Sequence, residues 1–246
     1  MIKFFRRIRQ QLLSQNRFSK YLLYAIGEIV LVVIGILIAL QINNRNEERK
    51  LRSTEVIYLK GLKQNLLDSR EELNRVIEES NVTVKSLNNL VEALKLAGND
   101  VNNLEVDSLM FSGMAYTIFQ SRQGVIDELI SSGQVVIIKN DYLRSQIASW
   151  NGNLIDLREI EEMGKSGFHN YGDRLSAYFD FSGITPEDQI FSVELKENFF
   201  NDLKTRNTIA NNREVSRRLN EIYIDKRNYI DTLIQVINNE LKFKDD

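Results

Sequence analysis

The sequence predicts an all-α protein: one N-terminal transmembrane helix, then an extramembrane antiparallel helical bundle whose first and last helices are long. Three observations carry this. The chain has 246 residues but a single proline, Pro186. Because proline breaks helix interiors and populates turns and strand edges, its near absence favours a few long helices over a many-stranded fold. Tyr21 to Ile42 (YLLYAIGEIVLVVIGILIALQI) is apolar throughout except for one charge, Glu28, and is long enough to cross a bilayer core of about 30 Å. Finally, Leu59, Leu66, Leu73, Leu87 and Leu94 keep a heptad spacing, with Leu62, Val76, Leu90 and Ala97 at the second site of the register.

Residues 1–20 precede the span with Lys3, Arg6, Arg7, Arg9, Arg17 and Lys20 and no acid. Phe4, Phe5, Ile8, Leu12 and Leu13 recur among them at roughly helical spacing, which predicts a basic amphipathic segment on anionic lipid. Arg45, Arg49, Lys50 and Arg52 follow the span, so the basic excess lies on the N-terminal side. The expected orientation is N-terminus in the cytoplasm and residues 43–246 outside, periplasmic in a Gram-negative cell. The whole chain is net −2, so the part beyond the basic tail is acidic, and nucleic acid is not an expected partner.

Within the span, 21–42, an ionised Glu28 costs on the order of 2.5–3.5 kcal/mol at mid-bilayer and less towards the edge. Seven residues on, and so on nearly the same helix face, lies Gly35, followed by Ala39 at a spacing that lets backbones approach closely. Glu28, Gly35 and Ala39 are the expected helix–helix contact, with a second copy or with another membrane protein.

Asn43 to Ala97 holds no proline and one glycine, Gly61, and is expected to be one helix. Ser69, Ser80 and Thr83 occupy three slots of its register, and Leu67, Ile77, Val84 and Val91 widen the stripe beyond a two-stranded seam, as a bundle requires. A second helix is expected from Asp107 or Ser108 to about Gln120, and a third from Gln123 to Ser131, broken at Ser132-Gly133. Val135 to Ile138 has no partner strand and reads as an apolar loop or helix start. Asp141 is the expected cap of a helix from Tyr142 to about Met163. Gly164, Gly167, Gly172 and Gly183 then make the least regular stretch. Thr185-Pro186-Glu187-Asp188 has the composition of a helix start. A helix from Val193 to about Thr205 should lead, across Arg206 to Asn212, into a final one ending near Lys244.

Chemistry is sparse. With no Cys and one His, disulfides, thiolate metal sites, Cys nucleophiles and His clusters are closed, and a non-enzymatic protein without catalytic residues, metal or cofactor is expected. His169 is the single imidazole, but no partner for it is deducible from sequence. Glu159, Glu161 and Glu162 do not share one helix face and suit a solvated surface. Phe168, His169, Tyr171, Tyr178 and Phe181, beside the glycines, form the expected ligand or partner surface.

Phe4-Phe5-Arg6-Arg7-Ile8-Arg9, Ser19-Lys20-Tyr21, Ala25-Ile26-Gly27-Glu28-Ile29 and the run from Val33 to Asn44 resemble the opening of a family of uncharacterised single-span proteins from flavobacteria and other Bacteroidota. Leu129-Ile130-Ser131-Ser132-Gly133 followed by Leu143-Arg144 is similar to its second signature. That family continues Asn-Asn-Trp-Asn-Glu after the span, where this chain has Asn43-Asn44-Arg45-Asn46-Glu47. The resemblance implies a Gram-negative inner membrane and no activity. Asp107-Ser108-Leu109 and Asp231-Thr232-Leu233 also resemble the Asp-Ser/Thr-aliphatic sites that Bacteroidota O-glycosylate on exported proteins, which makes Ser108 a candidate acceptor. The expected role is a membrane-anchored scaffold or accessory subunit working by protein–protein contact. The alternative is a periplasmic small-ligand sensor module, since the layout resembles the external four-helix domains of chemoreceptors.

Overall fold

A computed structural model describes residues 18–96, 104–180 and 191–245, and among these there are seven α-helices, two short 3-10 turns and no strand. The protein is all-α. It divides into two compact units, one up to Glu55 and one from Val56. Helix α1 (Phe18–Leu96) begins in the first. There it carries one stretch long and apolar enough to cross a membrane, none of it buried by the chain. From Ile29 to Lys50 every residue is exposed, and a Cβ placed at Gly27 or Gly35 would meet nothing within 4 Å.

The second unit has four legs, alternating in direction. α1 is the first. The second runs back along it through α2 (Leu104–Ser112), an irregular segment 115–123 and α3 (Gly124–Ser131): Gly113 packs on Leu87, Arg122 bonds to Ser69 and Val125 to Asn65. The third comprises α4 (Asp141–Ala148), a 3-10 turn and α5 (Ile155–Ser176). After α6 (Val193–Asn201), α7 (Leu203–Asp245) returns antiparallel to α5 and to α1. The first alignment is fixed by Lys226 to Asp156 and Asn212 to Gly167, the second by Arg70 to Asp231 and Asn220 to the Ile77 carbonyl.

Several expected boundaries move. The second helix starts at Leu104 and stops at Ser112 instead of reaching Gln120, because Tyr116-Thr117-Ile118-Phe119 is aromatic and β-branched, with weak helix preference, and its backbone finds side-chain partners instead. Ser132-Gly133 ends α3 as expected, with Gly133 at φ +70. Val135–Ile138 is largely a 3-10 turn, Gln134–Ile137. Asn140, not Asp141, caps α4, its Oδ1 accepting the Leu143 N–H at 2.9 Å. The single helix expected over 142–163 is two, interrupted around Asn151-Gly152-Asn153, residues that favour turns. Conversely, the stretch expected to be least regular is helical as far as Ser176, straight through Gly164, Gly167 and Gly172. The link expected at 206–212 is instead the single residue Asp202, whose carboxylate accepts the Lys204 and Thr205 N–H groups and so starts α7. The helix start at Thr185-Pro186, Phe181 and residues 1–17 lie outside the described residues.

Two glycines of α5 show why the helix tolerates them. A Cβ on Gly167 would stand 2.5 Å from Asn212 Oδ1, while one on Gly164 would meet its nearest neighbour, Leu219, at an ordinary 3.6 Å. Gly164→Ala is therefore expected to stabilise by up to about 1 kcal/mol through helix propensity. Gly167→Ala should destabilise by about 1–3 kcal/mol through overpacking. Urea midpoints of the two variants test the contrast, and equal shifts would refute it.

The core lies in two clusters. The larger joins Leu59, Leu62, Leu66, Leu73 and Val76 of α1 to Trp150, Leu157, Tyr223, Ile230 and Leu233 among others. The smaller gathers Leu87 and Leu90 with Met110, Tyr171, Leu175, Phe179, Phe191 and Phe199. Ser69, Ser80 and Thr83, the polar slots of the heptad register, are buried too.

Candidate functional site

Non-helical backbone inside a helical bundle must find partners for its N–H and C=O groups, and the irregular segment 115–123 obtains several of them from side chains. The Phe119 N–H donates to Glu161 Oε1 at 2.7 Å, and Arg158 Nη1 donates to the Phe119 carbonyl at 2.7 Å and to Glu161 Oε2 at 3.0 Å. The Tyr223 hydroxyl lies 2.9 Å from the Thr117 carbonyl and 3.0 Å from Glu161 Oε1, sharing its proton between them. Ser69 Oγ takes the Arg122 N–H at 2.8 Å, and Asn65 Oδ1 takes that of Val125 at 2.8 Å. Glu161 is therefore not part of a solvated acidic face: it is buried and fully engaged. Among the described residues no group of three or more His, Cys, Asp or Glu could hold a metal ion.

Burial raises the Tyr223 and Tyr171 hydroxyls far above the usual 10, and raises Tyr229 as well. A raised phenol pKa gives stability that is present below pH 10 and lost above it, where the unfolded chain releases the proton first. Tyrosine ionisation followed by ultraviolet absorbance is thus expected to show a late cohort that titrates only as the helical signal collapses. One smooth titration of all nine tyrosines ahead of unfolding would contradict it.

The expected aromatic surface is split. Phe168 is half-buried, stacked obliquely on Tyr116 with ring centroids 5.1 Å apart, and exposed His169 sits edge-on to Phe168 at 5.4 Å. These two border a shallow apolar groove of ≈ 380 Å³ floored by Phe111, Met114 and Leu175. Tyr171 is not at the surface: it is fully buried against Phe199, and its hydroxyl has no partner among the described residues. One helical turn separates it from Leu175 in the same core, which is why a residue beside two surface aromatics faces inward. Tyr178 is half-buried, edge-on to Phe199 at 5.6 Å and beneath the Arg174 guanidinium. Ser108 is exposed on α2, whereas Asp107 beside it is buried and bonded to Lys196 at 3.3 Å, so it is no helix cap.

A polar concavity lies elsewhere, between α5 and the start of α7. This groove of ≈ 720 Å³ is lined by Asn170, Asp173 and Arg174 on one side and by Lys204, Asn207 and Asn211 on the other, with Asn212 also in its wall. Arg174 bonds to Asp202 at 3.0 Å, and Asp202, which also accepts from Thr205, has its carboxyl held below the usual carboxylate range by those bonds. Two atoms of the wall, Arg174 Nε and Asn212 Oδ1, are buried without a hydrogen-bond partner among the described residues. Sequence reasoning missed the groove because it gave the backbone of α5 from Gly164 on to irregular structure and Arg206 to Asn212 of α7 to a linker, and asparagines in loops carry no signal.

The model of one protein family, described as a family of unknown function (DUF6090), matches residues 28–158. No curated protein and no solved structure matches the chain. The matched stretch takes in the apolar helix from Glu28, the first two legs of the bundle and the first residues of α5, and ends before the α5–α7 groove begins.

Proposed function

Since the chain belongs to the DUF6090 family of unknown function, whose model matches more than half of it, we propose that it is a single-span inner-membrane protein that works without enzymatic activity, by protein–protein contact, as a scaffold or accessory subunit of an envelope complex. The observation that carries this reading is the first unit of α1: an apolar stretch wholly uncovered by the rest of the chain, with Glu28 on nearly the same face as Gly35 and Ala39. Lipid covers such a stretch, and a second helix receives such a face at low steric cost. The basic residues before the span favour an N-terminus in the cytoplasm and a bundle in the periplasm.

In vivo cysteine crosslinking along 25–42 tests it, with Glu28→Leu and Gly35→Leu expected to reduce the crosslinked species several-fold. Unchanged crosslinking in both, or a detergent pull-down that returns only the monomer, would sink the reading. Protease protection in spheroplasts checks the orientation, and digestion of the bundle from outside is the expected result. Binding of a small ligand by a sensor-like module is a second reading, favoured by the unpartnered atoms in the α5–α7 groove. A thermal-shift screen against periplasmic metabolites separates the two.

A further inference from the structure

Nine of the ten residues that line the α5–α7 groove carry hydrogen-bonding side chains. Asn170, Asn207 and Asn211 are exposed, and none of their carboxamides is bonded within the described residues. Among the described residues no aromatic side chain lines the groove, so these supply no stacking platform of the kind on which sugar rings and bases rest. The start of α7, which would otherwise attract an anion, already holds the Asp202 carboxylate. Arg174 and Lys204 are balanced by Asp173 and Asp202, leaving no net charge to select a polyanion.

What remains is a row of neutral groups, each presenting a donor and an acceptor in one plane. A peptide group presents the complementary pair. Asn207 and Asn211 are four residues apart on a helix, a rise of about 6 Å. In an extended chain the backbone groups facing one side recur every two residues, about 6.6–6.8 Å. The two periods agree closely enough for successive carboxamides to meet successive peptide groups, and the volume of ≈ 720 Å³ is within the range of sites that enclose a small ligand. We propose that this groove holds an extended peptide segment of a partner protein by its main chain, with Asn207 and Asn211 pairing along one edge and Asn170 facing them from α5. The proposal rests on the protein-contact reading above and gives it a location and a mode of recognition.

The test uses the full chain in lipid nanodiscs. A phage-displayed library of random dodecapeptides is selected on it, and the enriched peptides are synthesised and titrated by fluorescence anisotropy. Asn207→Ala/Asn211→Ala is expected to weaken binding by about tenfold or more, the equivalent of two lost hydrogen bonds, with the thermal midpoint unchanged because both side chains are exposed. Methylating alternate backbone nitrogens of the peptide should abolish binding. Failure to enrich any peptide, equal binding by the double variant, or equal binding of the methylated peptide would each overturn the proposal. A chain that still crosslinks through Glu28 and Gly35 but binds no peptide refutes only the groove. Loss of that crosslink's dependence on Glu28 and Gly35 refutes the anchor-contact reading and leaves the peptide result to stand by itself.

Discussion

Glu161→Ala is expected to lower the stability of the bundle by about 1–3 kcal/mol. The carboxylate accepts the Phe119 N–H and the Tyr223 hydroxyl, both buried, and pairs with Arg158. Removing it strands the buried Phe119 N–H, worth about 1–3 kcal/mol when left unsatisfied, while the Tyr223 hydroxyl keeps the Thr117 carbonyl at 2.9 Å. Half-exposed Arg158 can turn to water, so its share is small. Glu161→Gln keeps an acceptor for Phe119 and should cost well under half as much. Chemical denaturation of the full chain in mild detergent, followed by helical ellipticity, measures both. A shift below about 0.5 kcal/mol for Glu161→Ala would show that segment 115–123 holds without its anchor.

The second large effect belongs to Asp107 and Lys196, which join α2 to α6 across 89 positions of sequence. Both side chains are almost entirely buried, at 6% and 3% exposure, and Asp107 Oδ1 has no hydrogen-bond partner among the described residues. Lys196→Met removes the counter-charge from a carboxylate that water cannot reach, and a loss of about 3–5 kcal/mol is expected. Asp107→Leu combined with Lys196→Met should restore most of it, because the desolvation of two charges disappears along with their attraction. A double-mutant cycle on unfolding free energies reads the difference. Additive losses would mean that the two residues do not act as a pair.

Both effects centre on residues that the sequence presents misleadingly. Glu161 sits in a run of three acids that looks like solvated helix surface, and Asp107 precedes a serine in a pattern that looks like a cap or a modification site. What was legible was everything periodic. The apolar run of α1, its heptad leucines, the break at Gly133 and the end of α7 all follow from spacing and from single-residue backbone preferences. What was not legible was everything settled by a partner distant in sequence. Gly167 reads as a helix breaker until Asn212 is found against it, and Tyr116 to Phe119 read as helix until Glu161, Arg158 and Tyr223 are found around their backbone. The groove residues were opaque for the same reason: α5 and α7 each had to extend through stretches where local preference argued against helix before Asn170 and Asn207 could face one gap. Of the aromatic surface, Phe168 and His169 do border a groove, while Tyr171 belongs to the core by helical phase alone.

The two-cluster core also bears on how the bundle moves. Leu87, Leu90, Met110, Tyr171 and Phe199 complete their contacts without Trp150, Leu157 or Leu233, so the aromatic cluster can open as a cooperative unit while the other stays closed. Helices α5 and α7 run through both clusters, and the asparagine groove lies beside the aromatic one, where Arg174 and Asp202 join the last turn of α5 to the first residues of α7. A segment seated in the groove, by clamping α5 to α7 beside the aromatic cluster, is thus expected to slow amide exchange there while leaving the Trp150 cluster unchanged.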